Sequence, residues 1–256
     1  MASGAATVRD TRSSAALDVG TSSWSAHQRP RRLYQEIARR IDAMIQDGLY
    51  QIGDRLPAER ELAQRLGVSR PSTREAVIAL EVAGVVEVRT GSGIYVRLAG
   101  PSGHDRLQRF LAGDPGPGPY EALEVRRLLE GEAAFRAAAN ISAEDVAELR
   151  ATLAAMRDDP GPVPRRGDAA DRAFHLLIAA ASGNSVLAML IGALWDTRAL
   201  PMWRRWMERT RTAAMHLERV REHERIIDCL AARDAVGARR EMQQHIDQVS
   251  RRFAQG

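Results

Sequence analysis

The sequence predicts a mainly α-helical chain: a winged helix-turn-helix with a small β-hairpin wing, followed by an all-α bundle. Three observations carry this. Apolar residues recur at helical spacing from residue 33 to about residue 83. The period then switches to two through VVEVRT, a GSG turn and IYVRL. From Tyr120 onward the long segments are all helical in spacing and contain no strand candidate.

Residues 1–28, rich in Ala, Ser, Thr and Gly, have no periodicity and read as a disordered tail. The first domain is placed at 29–98. Its first helix, LYQEIARRIDAMIQDG, sets Leu33, Ile37, Ile41, Met44 and Ile45 on one face and stops at Gly48. QIGDRLPAE is a turn. A short helix, AERELAQRL, ends at Gly67. Ser69 then caps a helix running to about Ala83, and Pro71 suits its first turn because an N–H there has no intrahelical partner. Val77, Leu80 and Val85 face the interior. Gly84 stops the helix, and the hairpin follows.

Residues 99–119 contain five glycines and four prolines and read as a linker with a short helix through HDRLQRFL. The second domain is placed at 120–256, with roughly six helices. Ile141, Ser142, Asp145 and Val146 form a capping box with a hydrophobic staple. Breaks are expected at DDPGPVPRRGD, at residues 182–184, near Pro201, near 209–211 and near Arg233–Asp234.

Composition sets the class. The chain has 256 residues, 45% apolar and 27% charged, as a globular protein does. No apolar run reaches the length of a membrane span, and the N-terminus lacks the apolar region of a secretory signal. A lone cysteine, Cys229, excludes an internal disulfide framework and fits the cytoplasm. Net charge is +4, and all 37 basic residues are arginine. Basicity of that kind is weak evidence for nucleic acid, so the pattern must carry the argument.

In the first domain it does. A helix entering the major groove aims its N-terminal side chains at base edges. Arg70 and Arg74 are four apart and share a face, and an arginine fork matches guanine O6 and N7. Ser69, Ser72 and the helix N-terminus suit phosphates. Arg60 lies where a first helix crosses the backbone, and Thr90 and Gly91 form the hairpin tip. A surface helix with arginines paired to Glu75 is the competing reading of the same residues.

The second domain carries a metal-ligand pattern. Asp171 and His175 are i and i+4 on one helix. His223 lies eleven residues before Asp234 and His245 eleven after. In an antiparallel helix pair both rings then stand about 16 Å from the turn, at one height. Each shares a face with apolar residues. One imidazole on such a face reads as a core residue; two level imidazoles plus an Asp-x-x-x-His pair read as a divalent ion site for zinc, nickel or manganese. His216 is the reserve ligand, while His27 and His104 fall in predicted coil. Arg126 shares a face with Ala122, Leu129 and Ala133, so it needs an anion inside, either a ligand or Glu130. Trp195, Trp203 and Trp206 line a pocket or belong to the core or to a dimer contact.

RLPAERELAQRLGVSRPSTREAVIALEVAGVVEVRTGSGIYV resembles the DNA-binding domain of the GntR family of bacterial regulators across residues 31–97. The resemblance implies DNA contacts at Arg60, Ser69, Arg70, Ser72, Arg74, Thr90 and Gly91; Pro71 stands where many members carry threonine. YEALEVRRLLEGEAA, DRAFHLLIAAASGN and the two late histidines are similar to the FCD effector domain of the FadR-type branch. That implies a metal on Asp171, His175, His223 and His245 and a small carboxylate effector meeting it and Arg126. LEVAGVVEVRTGSGIYV with WDTRALPMW resembles hexuronate-utilisation repressors of the UxuR and ExuR type, which implies a sugar acid. The expected protein is therefore a homodimeric repressor of a palindromic operator in double-stranded DNA, without membrane contact and without enzyme activity. A metal-dependent hydrolase with a nucleic-acid module, a metal-sensing regulator and a purely structural metal are the competing readings. No HExxH motif or nucleophile elbow supports the hydrolase.

Overall fold

The computed structural model describes residues 32–158, 166–210 and 213–255. The predicted tail, His27, most of the DDPGPVPRRGD break and the last residue of the break expected near 209–211 lie outside them.

Helix α1 (Leu33–Gln46) buries Tyr34, Ile37, Ala38, Ile41 and Ile45. Leu33, assigned to that face, is exposed and Tyr34 takes its place, with its hydroxyl donating to the Gly116 carbonyl at 2.9 Å. The DRLP segment, read as a turn, contains a two-residue strand β1 (Arg55–Leu56). Helix α2 (Glu59–Leu66) ends at Gly67, whose φ of 67° is the left-handed conformation that turns the chain into the next helix. Helix α3 (Arg70–Val82) starts where Ser69 Oγ accepts the Ser72 N–H at 3.2 Å. Val77, Leu80 and Val85 are buried behind it. Strands β2 (Val86–Arg89) and β3 (Gly93–Val96) form the hairpin, and β1 adds antiparallel to β3, giving the order β1-β3-β2.

The glycine- and proline-rich stretch holds a longer helix than predicted, α4 (Gly100–Ala112), with Leu107 and Leu111 buried and Pro101 in its first turn. His104 lies on this helix, not in coil, and its Nδ1 meets Asp42 Oδ2 at 2.6 Å. Seven α-helices follow among the described residues: α5 (Pro119–Asn140), α6 (Ala143–Arg157), α7 (Arg166–Ala181), α8 (Ser185–Asp196), α9 (Pro201–Thr210), α10 (Ala213–Ala231) and α11 (Ala235–Gln255). A 3-10 turn, Thr197–Ala199, joins α8 to α9. The capping box forms at Ser142 and Asp145.

One apolar core runs from α1 and α3 through the hairpin to Leu123 of α5 and to Met202, Trp203 and Trp206 of α9. Trp203 and Trp206 are thus core residues, in edge contact at 5.3 Å between ring centroids. A second core gathers α5, α6, α7, α10 and α11.

A carboxyl lies where α3 meets α5. Glu75 is buried, and its Oε1 accepts the Tyr120 N–H at 2.7 Å. Burial pushes this carboxyl up to about 8, against the lowering effect of the Tyr120 and Glu121 amides. The folded chain therefore keeps a proton that the unfolded chain loses near the ordinary glutamate value. Stability from this group is complete at low pH and falls, by at most about 1.4 kcal/mol per pH unit, until the pH passes the folded value. Glu75→Gln should lack that slope. Denaturant titrations between about pH 5 and 8 should show wild type losing stability relative to the variant; a pH-independent difference would contradict the assignment.

Candidate metal centre and nucleic-acid interface

Three helices bring the predicted ligands together. Helix α7 supplies Asp171 and His175, α10 supplies His223, and α11 supplies His245. The turn at Arg233–Asp234 reverses the chain so that the rings of His223 and His245 lie 4.5 Å apart between centroids. All four side chains are buried, and one ligand atom from each lies within 4.8 Å of the others. Ion–ligand bonds of about 2.0–2.2 Å put donor atoms roughly 3–4.5 Å apart, so the group could hold one ion with a small contraction. His216 does not belong to this group.

The partners around the cluster fix which nitrogen faces inward. His223 Nδ1 is 2.7 Å from the Arg219 carbonyl, which can only accept, so this nitrogen carries the proton. Its Nε2 is turned inward, 3.0 Å from Asp171 Oδ1. Either a proton or a cation between the two atoms holds them at that distance, and a cation makes both of them ligands. His245 Nδ1 meets Glu222 Oε2 at 2.8 Å, leaving Nε2 for the centre. Burial first, and then the neighbouring His223, push His245 down to about 3, the direction that favours the unprotonated ring a ligand needs. His175 Nδ1 contacts Glu130 Oε2, while its buried Nε2 lies 3.7 Å from Asp171 Oδ1 without a hydrogen-bond partner. Burial would raise the Asp171 carboxyl, but His175, His223, Arg219 and Arg198 together hold it well below the usual carboxylate range. The donor set, with both buried His175 nitrogens lacking a hydrogen bond, suits a divalent ion.

Arg126 is buried next to this centre. Its Nε donates to Glu130 Oε1 at 2.6 Å, and its guanidinium stacks on Trp195 at 4.1 Å. Glu130 is thus the internal anion that Arg126 requires, and it links Arg126 to His175. Trp195 belongs to the site, unlike Trp203 and Trp206: Nε1 donates to Glu130 Oε1 at 3.2 Å and the ring lies 4.8 Å from that of His175. Sequence reasoning passed over Arg198. It stacks on Trp195 at 4.3 Å and donates to Asp171 Oδ2 at 3.1 Å. It sits inside WDTRALPMW, beside the tryptophan, and that proximity was the available signal. Glu222 and Arg219 were missed because neither has a pattern of its own: Arg219 engages His223 through its backbone carbonyl, and Glu222 engages His245 on the neighbouring helix.

In the first domain, Arg60, Ser69, Arg70, Thr90 and Gly91 are exposed. Ser69 and Ser72 share a hydrogen bond at 2.8 Å at the start of α3. Arg74 is tied to Glu59 of α2 at 2.6 Å. Its partner is therefore Glu59; Glu75, the expected competitor, points the other way, toward α5.

A family model described as bacterial regulatory proteins, gntR family, matches residues 33–96, and one described as FCD domain matches residues 121–248. The chain is 37% identical over 229 residues to the Uxu operon transcriptional regulator of Escherichia coli strain K12, spanning 88% of this chain and 87% of that protein. It is 36% identical over 221 residues to the Exu regulon transcriptional regulator of the same strain, spanning 85% and 83%. Among solved structures, Streptococcus agalactiae GntR is 27% identical and covers 85% of this chain and 99% of its own, with a TM-score of 0.44. Among the described residues no helix is long and apolar enough to cross a membrane.

Proposed function

The chain belongs to the gntR family of bacterial regulatory proteins and carries an FCD domain, and from that premise we propose that it is a homodimeric repressor whose operator affinity is set by a small carboxylate bound at a metal ion in the C-terminal domain. Asp171, His175, His223 and His245 hold the ion. When bound, such an ion supplies a Lewis-acidic centre with room for carboxylate oxygens. The observation that carries the reading is the inward convergence of three imidazoles, each with its Nδ1 engaged by an outer partner.

The chain's own residues do the rest. Arg126 and Arg198 flank Trp195 with two guanidiniums beside the centre and favour an anion there. Glu130 and Glu222 orient His175 and His245. The likeness to the Uxu and Exu regulators makes a sugar acid, such as a uronate or aldonate, the first class to test.

The DNA-reading end fits the same reading. Arg70 leads the exposed end of α3 and, with Arg74, reads base edges; Arg60, Ser69, Ser72, Thr90 and Gly91 hold the backbone. Two-fold pairing is supported by exposed apolar residues on two packed helices: Val125 and Leu128 on α5, and Val186, Met189 and Leu190 on α8. Sedimentation should give a dimer. A repressor's effector acts only through unequal affinity for two arrangements of the DNA-reading heads.

A thermal-shift screen of uronates, aldonates and simple carboxylic acids, with and without chelator, tests the proposal. It predicts a rise in melting temperature that needs acid and metal together, because a ligand stabilises only the state that binds it. A rise with metal alone, unaltered by every acid, would instead leave a metal sensor or a structural ion.

A further inference from the structure

The recognition helix α3 turns its inner face toward the effector domain, and two acids reach across from it. Glu75 Oε1 accepts the Tyr120 N–H at 2.7 Å. Tyr120 lies in the first turn of α5, where amides have no intrahelical acceptor, so the carboxyl acts as a cap supplied by another helix. Gly118, just before α5, makes room for it: a Cβ there would overlap the Glu75 carboxyl. Glu81 makes the second connection. Its Oε1 accepts from Arg205 of α9 at 2.9 Å and from the Val88 N–H of the wing at 3.1 Å. One carboxylate thus joins recognition helix, wing and effector domain.

The same two helices reach the ion cluster. Helix α5 carries Arg126 and Glu130, and Glu130 touches His175. Helix α9 follows directly from the 3-10 turn whose Arg198 bonds Asp171. Helix α5 therefore touches both the effector site and α3, while α9 touches α3 and is joined to the site through the turn that carries Arg198; α3 packs directly on both helices. The segment 99–119 is not needed as an intermediary.

We infer that Glu75 and Glu81 are positioning residues that lock the recognition helix to α5 and α9, so that these contacts set the spacing of the two recognition helices in the dimer. The inference rests on the dimeric, DNA-binding reading above. Directional bonds to a buried carboxyl tolerate little displacement, and a small shift of α5 or α9 at the effector site would turn α3 with it. A head held only by a connecting segment would instead tolerate several spacings.

Half-site spacing reads this out directly. A wild-type operator is selected from a random duplex library, and a second version carries two base pairs inserted between the half-sites. The insertion rotates one half-site by roughly 70° about the duplex and moves it along the axis. Wild type should lose at least about tenfold in affinity on the lengthened operator. Arg205→Ala and Gly118→Ala should lose less than about threefold between the two. Arg205 is half-exposed, so its truncation leaves no cavity. Gly118 has φ of −63°, so alanine suits its backbone and acts only by displacing Glu75. Arg205→Lys, which keeps a cation for Glu81, should recover most of the discrimination. Variants that retain the full wild-type spacing penalty would overturn the lock. A wild type indifferent to spacing would remove the two-fold reading itself, and the lock with it.

Discussion

His223→Ala should purify without stoichiometric metal, stop responding to any acid effector, and still bind operator DNA. The ring removed is the one that α10 presents most completely to the centre. Its Nδ1 is fixed on the Arg219 carbonyl and its Nε2 lies 3.0 Å from Asp171 Oδ1. Losing even an outer partner of a metal ligand typically costs about 10–100-fold in affinity, so losing the ligand itself should cost at least about 100-fold. The change leaves Asp171 facing a void, with Arg198 and Arg219 still on its outer oxygen. Helix α3 and the wing are untouched, which is why DNA binding persists. Elemental analysis and gel shifts on one preparation check both halves. A variant that still holds one metal per chain would show that the ligand set is wrong.

Arg70→Ala should weaken operator binding by about 1–3 kcal/mol and relax the preference at the base it reads. Arg70 is exposed at the first position of α3. Arg74→Ala should weaken binding within the same range, with a second consequence. Arg74 is held by Glu59, so its loss also loosens α2 from α3. Competition gel shifts against operators altered one base pair at a time separate the two. Arg70→Ala should flatten the profile at one position in each half-site. If both variants bind and discriminate as wild type does, α3 is not the reading helix.

Much of this was legible because several residues obey strict geometric rules. Ser69 with Pro71 marks the start of α3, since both suit a helix N-terminus and neither suits its interior. The equal distance of His223 and His245 from Asp234 becomes equal height once the helices reverse at that residue, and the structure puts the two rings side by side. Tertiary context decided what was not legible. Leu56 follows an arginine and precedes a proline, and only pairing with Ile94 makes it a strand residue. Glycine and proline density hid only the first turn of α4: the helix through HDRLQRFL was legible, with Leu107 and Leu111 four apart and buried, but its start at Gly100 was not. Glu75 was read as a partner for its neighbours in sequence; its actual partner is 45 residues away on α5, and no local pattern records such a contact. Arg126 shows both outcomes: its need for a buried anion was legible, and Glu130 supplies one from the next turn.

The most direct test of the whole account is the X-ray absorption fine structure of the metal-loaded protein before and after a stabilising sugar acid is added. The account predicts imidazole scattering from three histidines with nitrogen at about 2.0–2.1 Å, and an added light-atom contribution when the acid binds. A spectrum without imidazole, or one that the acid leaves unchanged while operator affinity still shifts, would contradict it.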